Sequence, residues 1–395
     1  FDVEAVMKDV RIMIMAQEII VDNSSYPTPE IKKVSHEYRT LGLGYANLGA
    51  LLMASGLPYD SDRANSLAAV ITALMTGQAY RTSAELAARM GPFEGFERNR
   101  ISTMRVIHKH REALSEIDSA MVPMDLLHAA MEVWDEAIVE GSRHGYRNAQ
   151  VTLLAPTGTI AFMMDCDTTG IEPEFSLIKV KKLVGGGTLR IVNHSIPRAL
   201  NTLGYQKEEI RDILKHVEAK ETIEGAPRFQ EEHLPVFDCA DRVAGGTRSI
   251  EALGHIKMCG SVQPFLSGAI SKTINLPNEA TVEEIKEAYV QGWKYGMKSV
   301  SIYRDGCKMV QPLSNKDRPA VVLGPQRRNM PKDHPALQHE FKIKGFKGFL
   351  TMGLYPEDNQ LGEIFINFTK QGSTLQGLAM AWAVAISMGL QRGVP

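Results

Sequence analysis

A short turn near the middle of the chain carries residue types suited to binding a phosphate group. The turn consists of Pro156, Thr157, Gly158, Thr159 and Ile160. Gly158 has no Cβ and lets an anion approach the backbone closely, while Thr157 or Thr159 can cap a following helix. The first N–H groups of a helix lack internal partners, and the helix dipole favours a bound anion by roughly 0.3 to 2 kcal/mol. The residues therefore predict a phosphate site, although such turns are also common without a ligand.

The elements on either side of the turn determine how it is held. Val151 to Leu154 is a short apolar run typical of a buried strand, and Pro156 prevents further strand pairing because it lacks an N–H group. A helix is predicted to start near Ile160. The turn differs from a Walker loop, since neither Gly-Lys-Ser nor Gly-Lys-Thr follows it.

Thiols are the second group of residues with chemical potential. The four cysteines, Cys166, Cys239, Cys259 and Cys307, are far apart in the chain and form no Cys-x-x-Cys pair. This spacing argues against a zinc ribbon, a thioredoxin motif and a secreted disulfide framework. Carboxylates on both sides of Cys166 would raise the pKa of its thiol rather than activate it. We predict buried, reduced thiols, with no metal site and no catalytic residue among them.

Two carboxylates close to the turn and two isolated histidines have both a functional and a structural interpretation. Asp165 and Glu172 can line the phosphate site, but they can equally be helix-end and turn carboxylates. His194 and His233 can face a substrate or cofactor, although isolated histidines are more often loop or core residues. The residues alone leave both interpretations open.

The composition is that of an ordinary water-soluble protein. The 395 residues are 44% hydrophobic and 23% charged, with a formal net charge of −2. Since 44 Lys and Arg balance 46 Asp and Glu, the chain carries no basic footprint for nucleic acid. No apolar run reaches membrane-spanning length and no signal segment is recognisable. We therefore predict a cytoplasmic protein that binds neither nucleic acid nor membrane.

The hydrophobic pattern divides the chain into three parts. Residues 1–148 are predicted to be mainly helical, and residues 149–312 to be mixed α/β. A linker rich in proline and charge, 313–336, precedes a small α+β domain at 337–395. Because the chain starts at Phe1 and stops directly after an apolar helix pattern, we predict that it is cut at both ends and that the tail domain is truncated.

Finer predictions concern three segments. A helix over Val282 to Tyr295 is expected to lead into a strand over Met297 to Tyr303. Glycines between Leu41 and Gly49 superficially suggest a dinucleotide loop, but Asn47 occupies a position where that fingerprint needs glycine. We interpret this segment as close helix packing. The tail is predicted to form a β meander, Glu340 to Met352 and Leu361 to Thr369, followed by a helix from Thr374.

Several stretches together match a known family. Arg39 to Gly49, Leu154 to Ile160 and Met164 to Pro173 resemble the catalytic subunit of adenosylcobalamin-dependent (class II) ribonucleotide reductase. Four more agree with that family in order: Lys182 to Gly187, His233 to Cys239, Gln263 to Asn275, and Ser301 to Cys307. The resemblance implies an α/β fold, namely the C-terminal half of a ten-stranded α/β barrel followed by a small α+β tail domain. It also implies that the turn from Pro156 to Ile160 holds the phosphates of a ribonucleotide substrate.

The same resemblance implies a reaction. Adenosylcobalamin, a cobalt cofactor, would generate a thiyl radical that starts the conversion of ribonucleotides to deoxyribonucleotides for DNA synthesis and repair, and a thioredoxin-like reductant would restore the thiols. Class I relatives use an adjacent tyrosine pair for radical transfer, and this chain contains no Tyr-Tyr, which favours the cobalamin class.

The radical residue itself is missing from the sequence. The family places its radical cysteine in an Asn-x-Cys-x-Glu arrangement, and none of the four cysteines has these neighbours. We therefore expect the radical cysteine upstream, in an N-terminal half of the enzyme that acts as partner, and we expect the isolated chain to be inactive. The alternatives are a non-catalytic C-terminal subunit of a split reductase and a nucleotide-binding module.

Overall fold

Helices account for most of the first 148 residues. The computed structural model describes residues 1–182, 188–242, 246–307, 327–343, 346–368 and 374–393. The first helices are α1 (Val3–Asn23), α2 (Pro29–Tyr38), α3 (Leu48–Ala54), α4 (Asp62–Met90), α5 (Phe96–Glu112) and α6 (Met124–His144). Two 3-10 helices, Ala113–Glu116 and Ser119–Met121, connect α5 to α6. The start signals of α1, α2 and α4 are visible in the sequence, because Asp2, Thr28 and Ser61 each accept a hydrogen bond from a first-turn N–H group.

The core of this part lies between α4 and α6. A Cβ added to Gly77 would lie 2.9 Å from the Trp134 ring, so glycine lets the two helices approach closely. Trp134 is fully buried, and its indole N–H donates to a carbonyl of α4 at 2.9 Å. Val151 and Leu154 belong to the same hydrophobic cluster. The helical layer therefore backs the extended segment that leads into the turn.

Helices and short strands alternate in the next part of the chain. They are α7 (Gly158–Met163), β1 (Ile178–Lys182), β2 (Thr188–Val192), α8 (Ser195–Thr202), α9 (Lys207–Lys220), α10 (Ala252–Val262), β3 (Thr273–Leu276), α11 (Val282–Lys294) and β4 (Ser301–Arg304). Two 3-10 helices lie at Glu231–Phe237 and Gln263–Phe265. β1 and β2 pair in antiparallel orientation. Their connection, 183–187, lies outside the described residues, as does most of the stretch Lys182 to Gly187 that contributed to the resemblance.

The helix α11 agrees with its prediction, but β4 is shorter than predicted. It begins at Ser301 rather than at Met297. The Met297 N–H still donates to the Gly292 carbonyl at 3.0 Å, so the chain remains bonded to the end of α11 at this point. Strand pairing starts only after these helix-end hydrogen bonds have been completed.

Four extended segments lie side by side in parallel. Leu43 pairs with Thr152, and Leu154 pairs with Ile270, as isolated parallel bridges. β3 and β4 pair in parallel along their whole length. The order across this wall is 41–43, 151–154, 270–276 and 301–304. Helix and strand are mixed as predicted, but among the described residues the wall stays open, and no closed ten-stranded barrel is formed.

The predicted strand from Val151 to Leu154 is a pair of bridges rather than a regular strand. The Ser267 hydroxyl accepts hydrogen bonds from the N–H groups of Val151 and Thr152, at 3.1 and 2.9 Å. A side chain therefore occupies donors that a neighbouring strand would otherwise use, which interrupts the ladder. The segment is still extended and still leads directly into the turn.

The chain divides into two compact units, residues 1–307 and 308–395. In the second unit, β5 (Ala336–Ile343), β6 (Phe346–Leu354) and β7 (Leu361–Phe368) form an antiparallel sheet in the order β5-β6-β7, and α12 (Thr374–Leu390) follows. Of the predicted linker 313–336, residues 313–326 lie outside the described residues, and Ala336 already belongs to β5. Among the described residues, no helix combines the length and apolar character needed to cross a membrane.

Candidate phosphate-binding turn

The turn is exposed and its helix starts earlier than predicted. α7 begins at Gly158 rather than near Ile160, and the Ala161 N–H donates to the Thr157 carbonyl at 2.9 Å. Thr157 has a φ of 49°, in the left-handed region. That conformation costs a residue with a Cβ roughly 1 to 2 kcal/mol, so surrounding contacts must hold it in place.

Gly158 lies where neither backbone geometry nor packing demands glycine. Its φ is outside the left-handed region, and a Cβ at this position would have no atom of the described residues within 4 Å apart from its chain neighbours and the backbone of its own helix. The space in front of the first turn of α7 is therefore open. An approaching ligand would meet bare backbone there.

The loop that follows α7, residues 164–173, folds back onto the turn. The Thr157 hydroxyl oxygen accepts a hydrogen bond from the Gly170 N–H at 2.7 Å. Gly170 itself has a φ of 49°, and a Cβ there would lie 2.7 Å from the Ala155 carbonyl oxygen. The contact requires glycine on the loop, and it fixes the Thr157 side chain in one orientation.

The two carboxylates that were predicted as possible site residues have different surroundings. Asp165 is exposed, has a φ of 58°, and follows the last turn of α7, as a helix-end residue does. Glu172 is bound by residues at the start of β3. One of its oxygens pairs with the Lys272 ammonium, and the other accepts the Thr273 N–H at 3.0 Å. A role for either carboxylate in contacting a ligand stays a prediction.

The segment from Arg39 to Gly49 packs against the same loop. Asn47 has a φ of 71°, and its side-chain oxygen accepts the N–H groups of Asp167 and Thr168 at 2.9 and 3.0 Å. A Cβ on Gly49 would lie 2.6 Å from the Glu172 carbonyl oxygen. Gly49 thus lets α3 pack closely against the loop, but Gly42 and Gly44 lie outside any helix and pack against Leu153, so the prediction of close helix packing was wrong for those two glycines. Three stretches that carry the resemblance meet in space.

Beneath the loop lies a cluster of buried polar side chains. The Tyr59 hydroxyl donates to the Ile171 carbonyl at 2.7 Å, and the Lys272 Nζ lies 6.0 Å from the centre of the Tyr59 ring. His255 and Cys259 are fully buried beside them. Burial raises the pKa of the Cys259 thiol to about 12, so this sulfur stays protonated and is a poor nucleophile.

The remaining predicted residues are the other three cysteines and the two histidines. Cys239 is buried and Cys166 partly buried, but Cys307 is exposed, which corrects the prediction of four buried thiols. All four are free. The His194 Nδ1 lies 3.9 Å from a carboxylate oxygen of Asp167 in the supporting loop, and the His233 Nδ1 lies 2.8 Å from the Tyr205 hydroxyl.

Sequence reasoning missed three residues that hold the loop. They are Asn47, Tyr59 and Lys272. The clearest signal was Lys272, because it alternates with the apolar residues Ile270 and Ile274, which are buried on the same face of this extended segment. A charged residue in such a position is rarely fully buried without a partner.

Stability at low pH is expected to depend on His255. Neither ring nitrogen has a hydrogen-bond partner among the described residues, and burial, followed by the nearby Lys272 charge, lowers the pKa of this imidazole well below its usual range. The unfolded chain therefore binds a proton near pH 6.5 that the folded chain does not, so folding stability falls as pH drops below 6.5, by up to about 1.4 kcal/mol per pH unit.

The variant His255→Phe is expected to flatten this acid limb. Urea denaturation at pH values from 5 to 8 would measure the free energy of unfolding for both proteins. Met258→Leu, a buried change without a titratable group, should shift stability equally at every pH. An acid limb of wild-type steepness in His255→Phe would contradict the assignment.

The chain is similar to known proteins over its whole length. Residues 1–303 match the family model described as the barrel domain of ribonucleotide reductase. The chain is 48% identical, over its full length, to the vitamin B12-dependent ribonucleotide reductase of Rhodopirellula baltica, of which it covers 39%. It is 47% identical, again over its full length, to the enzyme of the same name from Streptantibioticus cattleyicolor, of which it covers 67%.

A more distant relative is similar in sequence to part of the chain. Over 75% of its length the chain is 30% identical to the vitamin B12-dependent ribonucleoside-diphosphate reductase of Mycobacterium tuberculosis, and it covers 35% of that protein. The chain thus spans between about a third and two thirds of the length of these three relatives.

Proposed function

The chain belongs to the vitamin B12-dependent ribonucleotide reductase family, and we propose that it supplies the substrate-phosphate turn of such an enzyme. The reaction converts ribonucleotides to deoxyribonucleotides for DNA synthesis and repair, in the cytoplasm. The phosphate-binding residues are Pro156, Thr157, Gly158, Thr159 and Ile160. The observation that carries this proposal is the open space in front of Gly158 at the start of α7. There the Gly170 N–H binds the Thr157 hydroxyl oxygen and keeps the preceding residue in its conformation.

The position of the turn supports a role in substrate binding. It follows the carboxyl end of the segment 151–154, which lies inside a parallel wall. In α/β proteins, ligands bind at the carboxyl ends of parallel strands, where loops and helix starts converge. Free N–H groups at the start of α7 would donate to phosphate oxygens, and the Thr159 hydroxyl adds a further donor.

Adenosylcobalamin is the proposed cofactor, and when bound it supplies a radical by cleavage of its cobalt–carbon bond. The side chains of Ile160, at the end of the turn, and of Met163 and Met164, just after it, fit a large flat organic group. Ile160, Met163 and Met164 leave 51%, 77% and 51% of their surfaces exposed. We propose that these three exposed apolar side chains contact the cofactor and exclude water from that side of the substrate.

We propose that another part of the enzyme carries out the radical chemistry. None of the four cysteines has the Asn-x-Cys-x-Glu neighbours, and burial raises the pKa of both Cys239 and Cys259. The N-terminal half of the enzyme would contribute the radical cysteine, and a thioredoxin-like dithiol would regenerate the reduced thiols. The barrel half would occupy residues 1–312, followed by a linker at 313–336 and the tail domain at 337–395.

Reconstitution tests this function directly. The chain alone, with adenosylcobalamin, a ribonucleotide and dithiothreitol, is expected to form no deoxyribonucleotide. Addition of the N-terminal half of the Rhodopirellula baltica relative is expected to restore product, measured by chromatography of the nucleotides. Turnover by the chain alone would contradict the absence of a radical cysteine. Failure of the mixture to bind ribonucleotide would contradict the proposed phosphate site.

A further inference from the structure

We propose that Lys272 and Glu172 are positioning residues for the phosphate turn, acting through the loop 164–173. This inference rests on the proposed function, because it assigns the pair a task at that same site. Neither side chain reaches the turn itself. Their effect is transmitted by Gly170, whose N–H binds the Thr157 hydroxyl oxygen.

The ion pair joins the loop to the neighbouring strand of the wall. The Lys272 side chain is fully buried, and its ammonium donates to the Glu172 carboxylate and to the Thr273 carbonyl, the latter at 2.9 Å. The second carboxylate oxygen accepts the Thr273 N–H at 3.0 Å. Glu172 is thus bound by two adjacent residues at the start of β3, which fixes its position along the strand.

A buried ion pair needs an explanation other than stability. Removing two charges from water is costly, and apolar side chains of similar volume often stabilise a protein equally well. The Lys272 position is surrounded by suitable apolar neighbours, since Ile270 and Ile274 are buried on either side. An apolar pair would lack hydrogen bonds with a defined orientation. The ammonium and the carboxylate fix the loop in one register through oriented hydrogen bonds.

Further contacts make the loop rigid between the pair and the turn. The Tyr59 hydroxyl holds the Ile171 carbonyl at 2.7 Å, and Gly49 lies directly against the Glu172 backbone. The N–H of Gly170, the residue before Ile171, donates to the Thr157 hydroxyl oxygen at 2.7 Å. The route from Lys272 to the turn therefore passes only through tightly placed backbone.

Thr157 is the residue that needs such support. It is β-branched and left-handed, a combination that the free chain avoids. When the loop shifts, the Gly170 contact is lost, Thr157 relaxes towards ordinary backbone angles, and the N–H groups at the start of α7 turn away from the phosphate. A pair that sits on the adjacent strand would in this way set the affinity for the phosphate group.

The test compares Lys272→Met and Glu172→Gln with the wild type in the reductase assembled with its N-terminal half. Titration calorimetry would give the Kd of a ribonucleoside diphosphate and of the unphosphorylated ribonucleoside with the same base. Both variants are expected to bind the diphosphate about tenfold more weakly and the nucleoside as tightly as the wild type. In turnover assays KM should rise about tenfold with little change in kcat.

A double variant distinguishes positioning from general damage. In a Thr157→Gly background, where the left-handed conformation is no longer disfavoured, Lys272→Met should add less than a twofold further change. Lys298→Met is the control, because that ammonium also binds backbone carbonyls, those of residues 266–268, which lie outside the turn and its loop. It should leave the ratio of diphosphate to nucleoside affinity unchanged.

The outcomes separate this inference from the proposed function. A wild-type enzyme that binds nucleoside and diphosphate equally well would overturn the phosphate site, and the positioning role with it. A wild type that prefers the diphosphate, together with Lys272→Met and Glu172→Gln variants that keep the full preference, would overturn the positioning role alone. If Lys272→Met does not fold, Glu172→Gln decides, because its amide keeps the size of the carboxylate while losing its charge.

Discussion

Replacing Gly158 by valine is expected to weaken binding of a phosphorylated ribonucleotide about 100-fold, equivalent to about 2.8 kcal/mol. A branched side chain would fill the space where the phosphate approaches the first N–H groups of α7, and each lost hydrogen bond to a charged group is worth roughly 1.5 to 3 kcal/mol. The fold should remain intact, because a Cβ at this position meets no atom of the described residues within 4 Å apart from its chain neighbours and the backbone of its own helix.

Titration calorimetry with a ribonucleoside diphosphate would measure this loss, and thermal unfolding would check the fold. Gly377→Val is the matched control, since Gly377 also lies in a helix, and a Cβ there likewise meets no described atom within 4 Å outside its chain neighbours and its own helix backbone. The control should bind the diphosphate as the wild type does. Undiminished affinity in a folded Gly158→Val protein would remove the turn from the substrate site.

The largest expected loss of stability comes from Glu18→Ala, about 3 to 5 kcal/mol in the free energy of unfolding. Glu18 is 3% exposed. Its carboxylate accepts hydrogen bonds from Arg39 at 2.5 Å, from Arg147 at 2.7 Å and from Asn148 at 2.6 Å. Removing it leaves the Arg39 guanidinium, which is itself buried, with only part of its charge compensated.

Glu85→Ala is the control for the expected loss of stability in Glu18→Ala. Glu85 also binds two arginines, Arg11 at 3.1 Å and Arg81 at 3.4 Å, but its side chain is 31% exposed. Solvent screens such pairs, and the expected loss is below about 1 kcal/mol. Urea denaturation of both variants at pH 7 would measure the difference. Equal losses at the two positions would show that burial does not strengthen the Glu18 network.

The local features of the turn were predictable because they depend on neighbours in sequence. Proline, threonine and glycine specify a break and a helix start within a few residues. The helix was predicted to start near Ile160, and it starts at Gly158, directly after the left-handed Thr157. The helix at Val282 was equally clear, since Thr281 and Glu284 cap it reciprocally. Such signals need no knowledge of the rest of the chain.

The supporting contacts could not be predicted in this way. The Lys272 ammonium meets a carboxylate 100 residues away, and Ser267 reaches N–H groups 115 and 116 residues away. Asn47 takes a left-handed conformation that glycine usually adopts, because its side chain binds two N–H groups of a distant loop. The residues themselves carry no local signal that these distant parts of the chain meet.

The parallel wall has a consequence for the time course of folding. Leu43 and Thr152 are 109 positions apart in the chain, and Leu154 and Ile270 are 116 apart. Helices α1 to α6 form from local contacts within microseconds to milliseconds, whereas pairings of such separation must first close long loops and form slowly. During synthesis, the helical layer can assemble early, but the segment 151–154 lacks one neighbour until residue 270 has left the ribosome. Until then the turn from Pro156 to Ile160 has its helix but not its supporting strand, so we expect the proposed phosphate site to form only late in synthesis.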